Sequence, residues 1–348
     1  MRKMRMAAMT LDPSLSLQIS KDQQHGVVIE EIEGLIRVNK DGHVERPQIV
    51  PSVTCVVSPN QEVISTDVTI DKCTNIWARF YVPKCHGKFS LLVFFHGGGF
   101  CVGSASWICY HEFLAKLASK ANCVIMSVNY RLAPENPLPC AYDDGINALF
   151  WVKQQALSAP NESITSKCNF SSVFLAGDSA GGNIAYYIAS RLGSTGGAID
   201  PLTLRPLRFK GLILIQPFFG GESRTYSEKY MVQPQRSALT LAASDTYWRL
   251  SLPKGANRDH PWCNPLAKEA PNLEDLRLLP KILVCISEMD ILKDRNLELC
   301  GALASAGKKV EHVIYNGVGH AFQILNKSQI SQIRTDELIF NIKAFIGG

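Results

Sequence analysis

The sequence predicts an α/β fold: a mostly parallel central sheet flanked by helices, with a helical cap, in one domain spanning residues 1–348. Three observations carry that reading. From residue 91 onward, short continuous apolar runs alternate with stretches of helical period, which is how parallel strands buried on both faces read. Ahead of them, residues 65–70 and 76–82 alternate apolar and polar side chains, the mark of half-buried antiparallel strands. Between residues 216 and about 279 no buried-strand run occurs, and Pro217, Pro234, Pro253, Pro261, Pro265 and Pro271 interrupt the chain. An insertion of that kind packs over the C-terminal edge of an open α/β sheet, where ligands bind. The cap is therefore expected from residues 216–279 together with about 1–30.

Taken in order, residues 1 to about 25 carry no strong signal. Residues 35–38 and 43–46 flank Lys40-Asp41-Gly42, and an Asp-Gly turn between such runs predicts a hairpin, placed here at the start of the sheet. Strands are expected at 65–70, 76–82, 91–95, 123–128, 173–176, 211–215, 282–286 and 310–315. Helices are expected at about 107–120, 141–156, 181–192, 294–306 and 330–346, with one more, 240–250, inside the insertion. Right-handed crossovers follow from the alternation of strand and helix.

Composition narrows the function classes. Hydrophobic residues at 46% and charged residues at 19% describe an ordinary globular protein. A net charge of +5 with scattered Lys and Arg argues against a nucleic-acid partner. Eleven cysteines, an odd number without C-x-x-C spacing, fit neither a disulfide framework nor a zinc site, and most are expected reduced and buried. Residues 1–9 are basic, but no apolar segment follows, so no secretory signal is expected. The longest apolar runs, such as 91–95 and 212–215, are strand length, so no membrane partner is expected either. The expected location is the cytoplasm, with the nucleus also open, and the oligomeric state is open between monomer and homodimer.

The chemistry is organised around Gly177-Asp178-Ser179-Ala180-Gly181, a G-x-S-x-G. In a nucleophile elbow the serine sits on a sharp turn from strand to helix, so small residues must flank it. An apolar run at 173–176 precedes Ser179 and a helical period follows from Asn183, which is the required setting. Upstream, His96-Gly97-Gly98-Gly99-Phe100 directly follows the apolar run at 91–95. Consecutive glycines let backbone N–H groups converge on an oxyanion, and such a loop after the third strand is half of the oxyanion hole in α/β-hydrolases. The donors would be Gly98, Gly99 and Ala180.

A nucleophilic serine needs a base, and the base needs an orienting carboxylate, in the chain order Ser, Asp or Glu, His. After Ser179 three histidines remain. His312 lies inside an apparent strand and His260 precedes a proline in the insertion. His320 sits in a glycine-bracketed loop just past the last strand and is the chosen base. For the acid, Asp290 follows the strand at 282–286, with Glu288 and Asp294 as rivals; Asp294 more naturally caps the next helix. Other patterns fail on inspection. His111-Glu112 lacks the second ligand of a zinc helix, because Ala115 stands in its place, and the S-x-x-K at Ser251–Lys254 lacks its partner motifs. The glycine loop has no Walker lysine, so neither a metal nor a nucleotide cofactor is implied.

The HGGGF and GDSAGGN motifs, Asn129-Tyr130-Arg131-Leu132-Ala133-Pro134-Glu135, and Tyr142-Asp143-Asp144 before Trp151 together resemble the hormone-sensitive-lipase-like carboxylesterases. Residues 220–225 and 259–265 are similar to the plant branch, and the likeness runs from about residue 30 to the end. The resemblance implies an α/β-hydrolase fold, a cap made partly from the N-terminal segment, and cofactor-free hydrolysis of short-chain carboxylic esters. Carried over, the nucleophile is Ser179, the acid Asp290 and the base His320, with Gly98, Gly99 and Ala180 around the oxyanion. His96 and Gly97 shape the loop, Gly177, Asp178 and Gly181 support the elbow, and residues 129–135 and 142–144 brace the site. The same resemblance leaves two alternatives. Gibberellin receptors share the scaffold but replace the histidine that is present here as His320. Cofactor-free lyases or cyclases of specialised metabolism, such as 2-hydroxyisoflavanone dehydratases, use the same oxyanion hole, some with Thr where this chain has Ser179. Trp107, Phe100, Phe218, Phe219 and Trp262 are aromatic candidates for the pocket wall.

Overall fold

The computed structural model describes residues 26–57, 62–158, 164–193, 200–233, 237–275, 281–325 and 327–348. Strands β1 (Val28–Ile32), β2 (Ile36–Asn39) and β3 (Val44–Glu45) form a small antiparallel sheet. The main sheet holds β4 (Val63–Asp71), β5 (Ile76–Pro83), β6 (Phe89–Phe95), β7 (Val124–Asn129), β8 (Cys168–Asp178), β9 (Phe209–Ile215), β10 (Ile282–Ser287) and β11 (Val310–Tyr315). Its order is β11-β10-β9-β8-β6-β7-β5-β4. The pairs β4–β5 and β5–β7 are antiparallel, and every other pair is parallel.

Helices α1 (Ile108–Ala121), α2 (Cys140–Ser158), α3 (Ala180–Gly193), α6 (Lys293–Ser305) and α8 (Gln329–Gly347) cover the sheet, and α7 (Phe322–Leu325) is a single turn. Within the insertion lie α4 (Tyr226–Tyr230) and α5 (Leu241–Ser251). Leu91, Val93 and Phe95 of β6 join a core with α2, α3 and α6, whereas Leu92 and Phe94 join a second core with α1 and α8. Both faces are thus buried, which is why these strands read as unbroken apolar runs rather than as alternation. Each such side chain contributes about 1.5–3 kcal/mol by burial.

The order of the strands locates the site. From β6 the chain steps to β7 on one side and then to β8 on the other. Ligands bind at such a reversal, outside the C-terminal ends of the strands. The glycine loop leaves β6 there, and Ser179 leaves β8 beside it, because Phe95 is in register with Gly177.

Two expectations need correction. The hairpin at 35–46 does not open the main sheet; antiparallel β4 and β5 do. Its Ile36 and Val38 are buried in the core shared with the insertion, and Glu30 on β1 pairs with Arg249 of α5 at 2.7 Å. The hairpin is therefore held against α5 instead of the edge of the main sheet. Asp294, expected to cap α6, lies in its first turn; the N-cap is Leu292, without a side-chain bond, and the Asp294 carboxylate accepts from Ser227 N–H at 2.6 Å.

The insertion helix expected at 240–250 is α5, capped by Thr240, whose hydroxyl accepts from Ala243 N–H at 3.1 Å. The short α4 went unread, although Thr225 and Glu228 close a capping box around its start. Asp245 on α5 pairs with Arg224 at 2.6 Å and with Arg258 at 2.7 Å, and Arg295 of α6 pairs with Glu228 of α4 at 3.0 Å. Residues 1–25 of the expected cap, and residues 234–236 and 276–279 of the insertion, lie outside the described residues. All eleven cysteines are unpaired, and six are buried. No helix among the described residues is long and apolar enough to cross a membrane.

Candidate active site

Ser179 sits between β8 and α3 with φ +51, in the left-handed region that a non-glycine residue adopts only under constraint. The constraint is local. A Cβ on Gly177 would lie 2.2 Å from Gly181 C, and one on Gly181 would lie 1.9 Å from Phe95 O. Any side chain at either position would force the turn open. Backbone bonds hold the turn from below: Ser179 N–H donates to Ile215 O at 2.8 Å, and Ser179 O accepts from Phe218 N–H at 2.9 Å.

The structure brings three of the expected residues together. His320 Nε2 lies 2.9 Å from Ser179 Oγ, and His320 Nδ1 lies 2.7 Å from Asp290 Oδ2. The other Asp290 oxygen accepts from Leu292 N–H at 3.0 Å, so both carboxylate oxygens are engaged. Burial works against a charge on His320, but the Asp290 charge and hydrogen bond, with a smaller contribution from Asp178, carry its pKa above the ordinary histidine value. That is the bias an imidazole needs if it is to accept a proton.

The rivals are engaged elsewhere. Glu288 accepts from Gly317 N–H at 2.8 Å and so shapes the loop that carries His320. His260 accepts from Trp262 N–H at 3.2 Å, and His312 is exposed on the edge strand β11.

The glycine loop is bent by its own backbone. Gly98 has φ +111 and Gly99 φ +58, and a Cβ on Gly98 would meet Val102 O at 2.1 Å. Gly98 O accepts from both Cys101 and Val102 N–H at 3.0 Å. His96 is fully buried, stacked on Tyr130 at 4.3 Å between ring centroids, and burial pushes its pKa down to about 4. It stays neutral and contributes shape. Tyr130 Oη donates to His96 O at 2.8 Å, Arg46 Nε donates to Cys101 O at 2.6 Å, and Arg46 also forks onto Glu135 at 2.7 and 2.5 Å. Asn129 accepts from Ala105 N–H at 3.0 Å, and Tyr142 Oη donates to Asn183 at 2.8 Å. These bonds account for the bracing expected of residues 129–135 and 142–144.

A cavity of about 90 Å³ opens at Ser179 and His320. Gly98, Gly99, Tyr110 and Asp178 line its polar side; Val102, Trp107, Phe218, Leu239 and Tyr247 line much of its apolar side. Among the described residues, no Lys or Arg side chain lines it. Ala180, the first residue of α3, follows Ser179 directly but does not itself line the cavity. Of the aromatic candidates, Trp107 and Phe218 are wall residues. Phe100 packs on Phe218 and Trp248, Phe219 on Tyr186, and Trp262 on Tyr142.

Sequence reasoning missed Gln216, Tyr110 and Tyr247. Gln216, at φ +46 beyond β9, accepts from Ala321 N–H at 2.7 Å and so holds the residue after His320. Nothing in a single sequence marks it, because its partner is remote in the chain. No group of three or more His, Cys, Asp or Glu side chains that could hold a metal ion is found among the described residues.

Known proteins resemble the chain along most of its length. A family model described as alpha/beta hydrolase fold matches residues 92–324. The chain is 51% identical over 328 residues to probable carboxylesterase 6 of Arabidopsis thaliana, covering 92% of each. It is 38% identical over 276 residues to gibberellin receptor GID1A of the same plant, covering 74% of this chain and 75% of that one. A solved Pyrobaculum calidifontis esterase matches with a TM-score of 0.65 at 27% identity, over 82% of this chain and 86% of its own.

Proposed function

Since the chain belongs to the alpha/beta hydrolase fold family, we propose that it is a serine carboxylesterase hydrolysing short-chain carboxylic esters without a cofactor. One observation carries the reading: the continuous hydrogen-bond chain from Ser179 Oγ through His320 to Asp290, at 2.9 and 2.7 Å.

In this mechanism His320 Nε2 takes the proton from Ser179 Oγ as the oxygen attacks the ester carbonyl. Asp290 remains ionised, holds the ring and stabilises its positive charge. The oxyanion faces the N–H groups of Gly98, Gly99 and Ala180, where one such donor is worth about 3 kcal/mol. Collapse of the tetrahedral intermediate passes the His320 proton to the leaving alcohol and leaves an acyl-serine. His320 then deprotonates water, which attacks the acyl carbon, releases the acid and restores Ser179.

The cavity supports the substrate class. About 90 Å³ of mostly apolar space suits a small acyl group, and a lining without Lys or Arg among the described residues suits an uncharged ester. We read the insertion, described over residues 216–233 and 237–275, together with the N-terminal segment as the cap over this space. The free thiols fit a reducing compartment, the cytoplasm or the nucleus in our reading.

Hydrolysis of p-nitrophenyl acetate is the test: wild-type protein should turn it over and Ser179→Ala should not. Equal rates would sink the assignment. The likeness to gibberellin receptor GID1A favours a second reading, hormone binding without turnover. Against it stands His320 in the position of a base, within reach of Ser179 Oγ. Saturable hormone binding by a protein inert toward esters would reverse that order.

A further inference from the structure

Asp178 immediately precedes Ser179, yet its side chain points back to the other half of the site. Gly97 N–H donates to Asp178 Oδ1 at 3.0 Å and to Tyr110 Oη at 2.7 Å, and Tyr110 Oη donates to Asp178 Oδ2 at 3.0 Å. The three groups are fully or almost fully buried. A Cβ on Gly97 would come within 2.8 Å of Asp178 Oδ2 and 3.0 Å of Tyr110 Oη, so the glycine is what admits this approach. One carboxylate thus ties the serine elbow, which carries Ala180, to the loop that carries Gly98 and Gly99.

We propose that Asp178 is a positioning residue for ester hydrolysis: its ionised carboxylate sets the spacing between the two halves of the oxyanion site by holding Gly97 to the elbow. The assignment rests on the esterase reading above. An oxyanion donor displaced by a fraction of an ångström loses much of its effect on the transition state while leaving ground-state binding nearly untouched. The signature is therefore a loss in kcat with little change in KM.

Burial pushes the Asp178 carboxyl up to about 7, opposed by the Tyr110 hydrogen bond, the charge of His320 and the Gly97 N–H. The other titratable groups around it do not compete for the proton in this range. Burial holds Tyr110 and Tyr130 well above the usual phenol value, Cys109 at about 12 and His96 at about 4. Protonation of Asp178 removes the charge that strengthens the Gly97 bond. Activity then needs two groups unprotonated, His320 and Asp178; the Asp178 charge raises the proton affinity of His320, whereas a charged His320 lowers that of Asp178.

The experiment is the pH profile of kcat/KM for p-nitrophenyl acetate, from pH ~5 to ~9, with wild type, Asp178→Asn and Tyr110→Phe. The wild-type acid limb is expected to steepen from first order to second order in protons. Asp178→Asn should lower kcat by about 10–100-fold with KM little changed. Its acid limb should stay first order and move to lower pH, because His320 loses a neighbouring charge. Tyr110→Phe should lower kcat by a smaller factor and keep the second-order limb. If Asp178→Asn does not fold, Tyr110→Phe carries the test: a fall in kcat at constant KM supports the assignment, and a wild-type kcat overturns it. A folded Asp178→Asn protein with wild-type kcat and a second-order limb overturns it while leaving the esterase reading intact. A wild type without turnover sinks both.

Discussion

The ring of Tyr247 lies directly against the backbone of Gly99: a Cβ built on Gly99 would sit 2.2 Å from Cγ of that ring. Tyr247 belongs to α5 in the insertion, and Gly99 to the loop leaving β6, so the insertion presses on the candidate oxyanion loop. Its neighbours reinforce the contact. Phe218 stands edge-on to Tyr247 at 6.3 Å and stacks on Trp248 at 4.5 Å. Gly99 is thus required twice, by its φ of +58 and by the ring above it.

Gly99→Ala should lower kcat by about 10²-fold with the fold retained by circular dichroism, because either the loop or α5 must give way. Adding Tyr247→Ala should return part of that loss. The steric conflict then disappears, while about 1 kcal/mol of backbone strain remains. A single Gly99→Ala protein with wild-type kcat would show that the ring moves aside freely.

Asp290→Asn should lower kcat by about 10⁴-fold, since the amide can no longer hold the Nδ1–H form of His320. Glu288→Gln should cost only a few-fold, because Glu288 touches Gly317 in the backbone of the loop rather than the imidazole. Steady-state kinetics of the two variants decide between the neighbouring carboxylates. The reverse order would exchange their roles.

Stability should fall as pH rises from about 4 to about 7. Asp178 is a carboxyl whose folded pKa is raised from 3.8 to about 7, so in that window the folded state binds the proton that the unfolded state has released. The resulting penalty, about 4 kcal/mol, is absent below the window and complete above it. His320 acts in the same direction: its folded pKa also lies above its ordinary value, so its contribution is full below pH ~6.5 and lost as pH rises through the folded value. Urea unfolding at pH ~5 and ~8 measures the slope, and Asp178→Asn should flatten it. An unchanged slope in that variant would place the titration elsewhere.

Asp144→Ala should destabilise the protein by about 2–4 kcal/mol without altering the cavity. The Asp144 side chain is fully buried and accepts from Arg131 N–H at 2.9 Å, Nε at 3.0 Å and a terminal nitrogen at 2.6 Å. Removing it strands the guanidinium beside a core, although Arg131 is 29% exposed and water recovers part of the cost. Urea denaturation provides the number, and a change below about 0.5 kcal/mol would show that the pair is dispensable.

Much of the fold was legible because its signals are local. Unbroken apolar runs announced β6 through β10, and the residues around Ser179 announced the elbow, since a sharp strand-to-helix turn excludes side chains at Gly177 and Gly181. Chain order then ranked His320 and Asp290 above their rivals. The hairpin at 35–46 was visible as a hairpin but not as a separate sheet, because its partner, α5, is remote in the chain. Tyr110, Gln216 and Tyr247 escaped for the same reason: each acts through a contact with a distant residue, and no periodicity records such a contact.

The sequence by itself determined the chemical alphabet of the site: a serine on a tight turn, a glycine loop, an acid and a base, each following a strand. Tertiary structure decided the rest. It brought Ser179, His320 and Asp290 within hydrogen-bond distance, turned Asp178 toward Gly97, and laid Tyr247 over Gly99 to leave about 90 Å³. The physical reason is the range of the forces: turn sterics and burial periodicity act between neighbours in sequence, whereas the width of a cavity and the proton affinity of a buried carboxyl depend on every element packed around them.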